Sequence, residues 1–286
     1  MKSVGTILRH RNRPSAFCIS AYALGVLPLC LFLSCSDLIT PPPPAGPDTT
    51  SHDFVWHFET LGDGNASGLN DVFIVDEDYV IAVGEIYVQD SLGNWESPYG
   101  VAIWDGQSWT LKRVYAWWPL TGAADLRPTS VFAFSRTDIW FAMSGVFHWD
   151  GVTVTPYWIE WDYPGNPHLV LDSGQTADKL WGLSSSNLYA VGRKGGIAHY
   201  DGTSWMKLES GTALDVKDIW GGFNWKTQTQ EALAVAAIPF ASFDRKILGV
   251  TRSTVITLSD NGISRALDGV WFEPGRRYLV LAEKVA

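Results

Sequence analysis

Glu160 and Asp162 flank Trp161 in the stretch TPYWIEWDYPGNP (155–167), and that spacing could serve acid–base chemistry. Residues two apart on a strand point to the same face, so both carboxyls could enter one site. Two carboxyls about 5–9 Å apart around a glycosidic bond can cleave it, one as acid and the other as base or nucleophile. The aromatic residues nearby suit the same substrate class. Trp117 and Trp118 in YAWWPL (115–120), with Tyr157, Trp158 and Trp161, offer flat apolar faces that stack on sugar rings while carboxylates bond the hydroxyls. These residues could equally cap the end of an apolar core, and carboxylates at i and i+2 are common by chance. The candidate binding set is therefore Trp117, Trp118, Tyr157, Trp158, Glu160, Trp161 and Asp162, with no residue assigned a catalytic role.

Other chemistry is thinly represented. DGNASGLND (63–71) places Asp63, Asn65 and Ser67 at alternate positions before Gly68, a partial calcium-loop spacing. The bidentate glutamate that such a loop needs at its twelfth position is Ile74, so an Asn/Gly-rich turn is the better reading. His148 and His199 recur beside Asp-Gly, where repeat scaffold is expected, and no His or Cys cluster suits zinc. Neither a nucleophile-elbow motif nor a phosphate loop occurs. The chain is expected to need no metal and no cofactor.

These residues hang on a repeat. One phrase reads DVFIVDEDYVIAVG (71–84), SVFAFSRTDIWFAMSG (130–145) and KLWGLSSSNLYAVG (179–192): two short apolar strands around a polar turn. A second reads AIWDGQSWTL (102–111), VFHWDGVTV (146–154) and AHYDGTSWMKL (198–208), with Asp-Gly between aromatic or β-branched runs. Asp-Gly favours tight hairpin turns because glycine tolerates the positive φ required there. Each unit thus holds four strands. The unit starts Val72, Val131, Leu180, Ile219 and Val270 are 59, 49, 39 and 51 residues apart. A period near 40–50 with four strands per unit is the signature of a β-propeller blade.

The fourth unit is degraded: DIWGGFNWKTQTQEALAVAA (218–237) carries a polar insert, and DNG (260–262) stands in for the Asp-Gly phrase. The fifth, from GVWFEPGRRYLVLAEKVA (269–286), supplies one hairpin. FVWHFETLGDGNASGLNDVF (54–73) aligns with TSWMKLESGTALDVKDIW (203–220), which predicts that the N-terminal stretch provides the outer strand of the last blade. The expected fold is an all-β propeller of four-stranded blades, five in this chain, or else part of a larger ring. Trp104, Trp109, Trp149, Trp181, Trp205 and Trp220 fall at repeat positions and are assigned to packing between blades.

DIWG (218–221), YAVG (189–192) and HYDGTSW (199–205) resemble repeats of bacterial secreted propeller lipoproteins, including photosystem-assembly-factor-like propellers. The resemblance covers about residues 54–286 and implies the fold; its motifs are structural. Some such chains carry glycosyltransferase labels, but nucleotide-sugar folds are α/β and no long helical periodicity occurs here. VLDSGQTADKLW (170–181) resembles the Asp-box of sialidase-like propellers, with Val170 and Ala177 in place of its Ser and Trp. That box is a turn element in its family. A sialidase also needs an arginine triad, which the scattered Arg113, Arg127, Arg136, Arg193 and Arg245 do not form in sequence.

The N-terminal segment sets the expected address. Lys2, Arg9, Arg11 and Arg13 precede an apolar run ending LFLSC (31–35), a secretory signal pattern. LFLSC resembles a bacterial lipobox, with Phe32 and Leu33 as departures, and Cys35 is the residue a lipid would modify. About 20 apolar residues could instead form a retained anchor; Pro28 and the polar stop after Cys35 favour cleavage. Of three cysteines, Cys18 and Cys30 lie inside the signal. The expected organisation is a signal peptide at 1–35, a Pro-rich tether at 36–53 containing four consecutive prolines, and the propeller at 54–286. Loss of the four basic residues, with no acidic residue lost, takes the net charge from −9 to −13. A chain so acidic, without a Lys/Arg cluster, lacks the footprint of a nucleic-acid binder. The functional expectation is an exported module on the outer membrane or cell surface, reaching the membrane through a lipid anchor and binding a protein or glycan without catalysis. The alternative is a carbohydrate-active enzyme working through 115–120 and 155–167.

Overall fold

The structure, a computed structural model, describes residues 58–64, 66–118, 122–157, 159, 175–238 and 244–282, together with Val4 and Gly5. Every regular element among the described residues is a strand. β1 (Val4–Gly5) pairs with β2 (Phe58–Glu59) in a short unit of its own.

The remaining strands belong to one compact unit. The first sheet is β3 (Gly68–Asp76), β4 (Tyr79–Ile86), β5 (Tyr99–Trp104) and β6 (Trp109–Lys112), paired antiparallel in that order. A small hairpin follows, β7 (Tyr115–Trp118) with β8 (Gly122–Asp125). The second sheet is β9 (Ser130–Ser135), β10 (Asp138–Met143), β11 (Gly145–Trp149) and β12 (Val154–Tyr157). The third is β13 (Lys179–Ser184), β14 (Asn187–Val191), β15 (Ile197–Tyr200) and β16 (Trp205–Lys207). The fourth is β17 (Asp215–Asn224), β18 (Thr229–Ala237), β19 (Arg245–Val250) and β20 (Val255–Leu258). The chain closes on β21 (Leu267–Glu273) and β22 (Arg277–Ala282), a two-stranded sheet.

The apolar cores lie between consecutive sheets, which makes the sheets blades. Ile81, Val83 and Val101 of the first pack with Val131, Phe141 and Trp149 of the second. Trp140 and Val146 of the second pack with Leu180, Leu188 and Tyr200 of the third. Trp181 and Tyr189 meet Ile219, Ala234 and Leu248 of the fourth. Val235 meets Leu267, Val270 and Phe272 of the last hairpin. Strands covered on both faces carry near-continuous apolar runs, as Leu188–Val191 shows by being buried throughout. This is the propeller architecture the repeat predicts.

The inner strands lie side by side in chain order, β3 with β9, β9 with β13, β13 with β17 and β17 with β21. A repeated polar contact links them. Asp71 Oδ2 accepts a hydrogen bond from the Val131 amide at 3.1 Å, and from Ser130 Oγ at 2.7 Å. Ser130 Oγ in turn accepts from the Leu180 amide at 3.2 Å. Asp218 Oδ2 accepts from the Val270 amide at 3.0 Å. At three of the unit starts the residue just before thus holds the backbone of the next blade. Register shifts at Leu69/Asp71 and Val216/Asp218 are bulges, which re-aim these two acids. Lys179 has the same position in the third sheet but has no acceptor. Its Nζ reaches back to both Asp71 oxygens at 2.9 Å. Burial raises the Asp218 carboxyl above the usual range, against the Val270 amide and Lys179.

The Asp-Gly phrase is a turn between the third and fourth strands. Gly106, Gly151 and Gly202 have φ of 94°, 95° and 99°. Asp105, Asp150 and Asp201 each accept from the two amides beyond the glycine, at 2.6–2.9 Å. Those bonds stabilise the anion: the Asp201 carboxyl is pulled down to about 2, first by the Thr203 hydroxyl and then by these amides. The three turns occupy equivalent places in successive blades and do not share a pocket. The phrase is scaffold.

Several expectations require correction. The fourth unit forms a complete sheet despite its degraded sequence. Its turn is Thr251–Thr254, not DNG: Thr251 Oγ1 accepts from the Thr254 amide at 3.0 Å, doing what aspartate does elsewhere. Tyr115–Trp118 and Gly122–Asp125 pair as a hairpin rather than forming a plain connection. The predicted outer strand for the last blade falls largely on residues 54–57, outside the described residues; Phe58–Glu59 pairs with β1. Trp109 and Trp205 begin their strands as expected, partly buried and packed against the cores.

Candidate functional site

The hairpin β7–β8 sits beside β12, at the end of the molecule opposite the Asp-Gly turns. Its backbone alternation decides what each residue does. Ala116 points inward and is fully buried in the core between the first two sheets. Tyr115 and Trp117, on the other face, are exposed; Trp117 shows 66% of its surface. Asp125 pairs with Tyr115 across the hairpin, so the carboxyl shares their face. Its Oδ1 is buried without a hydrogen-bond partner, and burial raises its pKa against the pull of Arg127 and Arg113.

The surrounding charges are already paired. Arg113 bonds Glu96 at 2.9 Å and lies 3.8 Å over the Tyr99 ring. Arg113, with the Tyr99 hydroxyl, holds the Glu96 carboxyl below the usual carboxylate range. Arg127 lies 3.8 Å from Glu85. The face therefore combines two exposed rings with one under-satisfied carboxyl. That arrangement can stack on and orient a ligand.

The sequence-derived set is only partly assembled here. Trp117 lies on the exposed face. Trp118 closes β7 opposite Gly122, and its side chain is outside the described residues. Tyr157 turns inward: its ring lies 5.2 Å from Trp140 and 5.4 Å from Tyr200, and the Tyr200 hydroxyl donates to its own at 3.4 Å. It packs between blades, partly buried. Trp158, Glu160, Trp161 and Asp162 lie outside the described residues, as do Cys35, the segments 6–57 and the Asp172–Gly174 part of the Asp-box resemblance. Asp125 was missed because GAAD resembles neither repeat phrase; only the pairing with Tyr115 reveals its place.

The remaining candidates prove structural. His199 is buried, and its Nε2 lies 2.8 Å from Asn187 Oδ1, whose amide donates to Gln230 Oε1 at 3.1 Å. Burial, then Arg252, lowers the His199 pKa. His148 makes the matching contact to Asp138 at 2.9 Å. Asp63 and Ser67 accept from the Gln89 and Tyr87 amides at 2.9 and 3.0 Å, so both close a turn; Asn65 lies outside the described residues. Among the described residues no group of three or more His, Cys, Asp or Glu is placed to hold a metal. A cleft of about 250 Å³ opens between the third and fourth sheets, lined by Trp181, Tyr189, Gln230 and Arg252.

No protein-family model and no curated protein matches this sequence. Some solved structures align with it. A structure described as YCF48 bound to D1 peptide aligns with TM-score 0.47 and 15% identity, over 78% of this chain and 66% of that one. The WD40 β-propeller domain of Doa1 aligns with TM-score 0.38 and 11% identity, over 78% and 92%. The extracellular domain of the putative hybrid two-component system BT3049 from B. thetaiotaomicron aligns with TM-score 0.35 and 11% identity, over 75% and 38%.

Proposed function

We propose that this chain is a non-enzymatic binding or assembly module, exported and held at the cell envelope by lipid on Cys35, with a protein or glycan as ligand. The observation that carries the proposal is the hairpin face, where exposed Tyr115 and Trp117 flank the under-satisfied carboxyl of Asp125. Exposed aromatics are expensive to leave in water and mark interaction sites. The repeat phrases serve turns and interblade packing, and the two exposed rings of this hairpin lie outside them. The address rests on the basic start, the apolar run and LFLSC.

The test is capture from envelope extracts together with a glycan array, using the wild-type chain and a Tyr115→Ala/Trp117→Ala double variant. The wild type should retain a protein or glycan above background, and the variant should lose it with an unchanged melting temperature. Equal retention by both would remove the hairpin from the proposal. Turnover of a captured glycan would favour the enzyme reading instead.

A further inference from the structure

The fourth sheet departs from the repeat at two positions, and both departures meet in one cleft. The last residue pair before the turn between third and fourth strands is Trp104 with Trp109 in the first sheet and Trp149 with Val154 in the second. It is Tyr200 with Trp205 in the third sheet and Val250 with Val255 in the fourth. An aromatic ring precedes the turn in the first three sheets, and a valine in the fourth. The turn glycine, Gly106, Gly151 or Gly202, is matched in the fourth sheet by Arg252. The junction between the second and third sheets shows what the ring does. Tyr200 lies 5.1 Å and Trp205 6.2 Å from Trp140, and together they cover it. At the next junction Tyr189 takes the place of Trp140, pairing with His199 as Trp140 does with His148. Val250 and Val255 of the fourth sheet now face it. Two valines do not fill the space of two aromatic rings. The cleft of about 250 Å³ opens at this place, against Trp181, Tyr189 and Val250, with Gln230 and Arg252 in its lining.

The polar side chains turned to this cleft are donors. The Arg252 guanidinium and the Tyr189 hydroxyl have no hydrogen-bond or ion-pair partner among the described residues. Gln230 accepts from Asn187 through Oε1 at 3.1 Å, which leaves its own amide hydrogens uncommitted. Glu231, the next residue of β18, turns its carboxyl to the other face of the sheet, where Asn224 and the Tyr278 hydroxyl donate to it. Arg252 lies close enough to Tyr189 to oppose the rise that burial gives its phenol. One positive charge and two neutral donors beside an apolar floor suit an anion with an apolar body.

We propose that the cleft between the third and fourth sheets binds a small aromatic carboxylate. The ligand's ring takes the space that the repeat gives to Trp or Tyr before the turn, and its carboxylate meets Arg252, Tyr189 and Gln230. The volume is below the usual range for larger ligands, so the occupant is a molecule of one or two rings. The site is built at the Asp-Gly end of the blades and shares no residue with the hairpin β7–β8.

The experiment is calorimetric titration of the full chain with indole-3-acetate and with phenylacetate. Tryptamine, which has the same ring and the opposite charge, and acetate, which has no ring, are the controls. Both ring acids should bind, one per chain, and neither control should. Val250→Trp puts back the ring of the repeat and should abolish binding, with circular dichroism showing the fold intact. Arg252→Gly puts back the turn glycine and should weaken binding about tenfold or more through loss of a charge-assisted contact. Arg252 is exposed, so this second variant tests the site even where a larger ring at 250 disturbs packing. No binding of either acid, equal binding of tryptamine, or unchanged binding in either folded variant would overturn the proposal. Tighter binding of a hexapeptide ending in phenylalanine than of phenylacetate would overturn it too, since the carboxylate would then belong to a protein tail.

Discussion

At the residue scale, aromatic side chains of one type do two unrelated jobs, and burial separates them. Trp140 is buried among His148, Tyr157, Tyr200 and Trp205, and its Nε1 donates to Asp138 at 2.7 Å. Trp140→Ala should destabilise the fold by about 3–5 kcal/mol, whereas Trp117→Ala should stay within about 0.5 kcal/mol, as read by denaturant unfolding. His199 gives a pH signature. Burial holds its folded-state pKa below the unfolded value of about 6.5, so the folded chain resists protonation. Its contribution is complete above that value and is lost as the pH falls below it. Unfolding titrations should show stability declining as pH drops from about 6.5, and His199→Gln should flatten that decline. The packing tryptophans were legible because they recur in the repeat. Tyr157 was not, because it adjoins a run of aromatics whose composition does not say which rings turn inward.

At the element scale, the turns were legible and the axial contacts were not. Asp-Gly has a fixed physical requirement, so its repetition reads directly as a turn. The residues that hold one blade to the next are Asp71, Ser130 and Asp218, with Lys179 and Gly269 at the same position. Read along the chain the position is Asp, Ser, Lys, Asp and Gly, and only the packed strands reveal their common place. Asp71→Ala would orphan the Val131 amide and leave Lys179 without its carboxylate. It should cost about 2–3 kcal/mol, below the full cost of breaking a buried pair because Lys179 keeps some contact with water. Adding Lys179→Met should then cost little more in the same unfolding assay, since the unpaired charge is removed. Among the turns, Gly202→Ala should cost about 2 kcal/mol and Gly151→Ala about 1. Both glycines have positive φ, but a Cβ at 202 would lie 2.8 Å from the Ser186 Cβ, while at 151 the nearest atom is 3.6 Å away.

At the scale of the whole molecule, a repeat of packed blades carries the exposed aromatic hairpin β7–β8. The repeat period predicted blades because each blade must bury both faces, and that need writes apolar runs at fixed spacing. The aromatics of β7 were legible in composition, but their pairing with Gly122–Asp125 was not, because the hairpin is not part of the repeat. If the anchor is lipid on Cys35, Cys35→Ala should move the chain from the membrane to the soluble fraction with its circular dichroism unchanged; persistence on the membrane after a salt wash would mean a retained apolar anchor. The central claim is that Tyr115 and Trp117 meet a ligand. Photo-cross-linking from position 117 in intact cells tests it most directly, with position 152 as the reference because Val152 is 89% exposed in an ordinary scaffold turn. The account predicts a discrete adduct from 117, absent from 152 and lost when Tyr115 and Asp125 are both replaced by alanine. Equal, diffuse labelling from the two positions would contradict it.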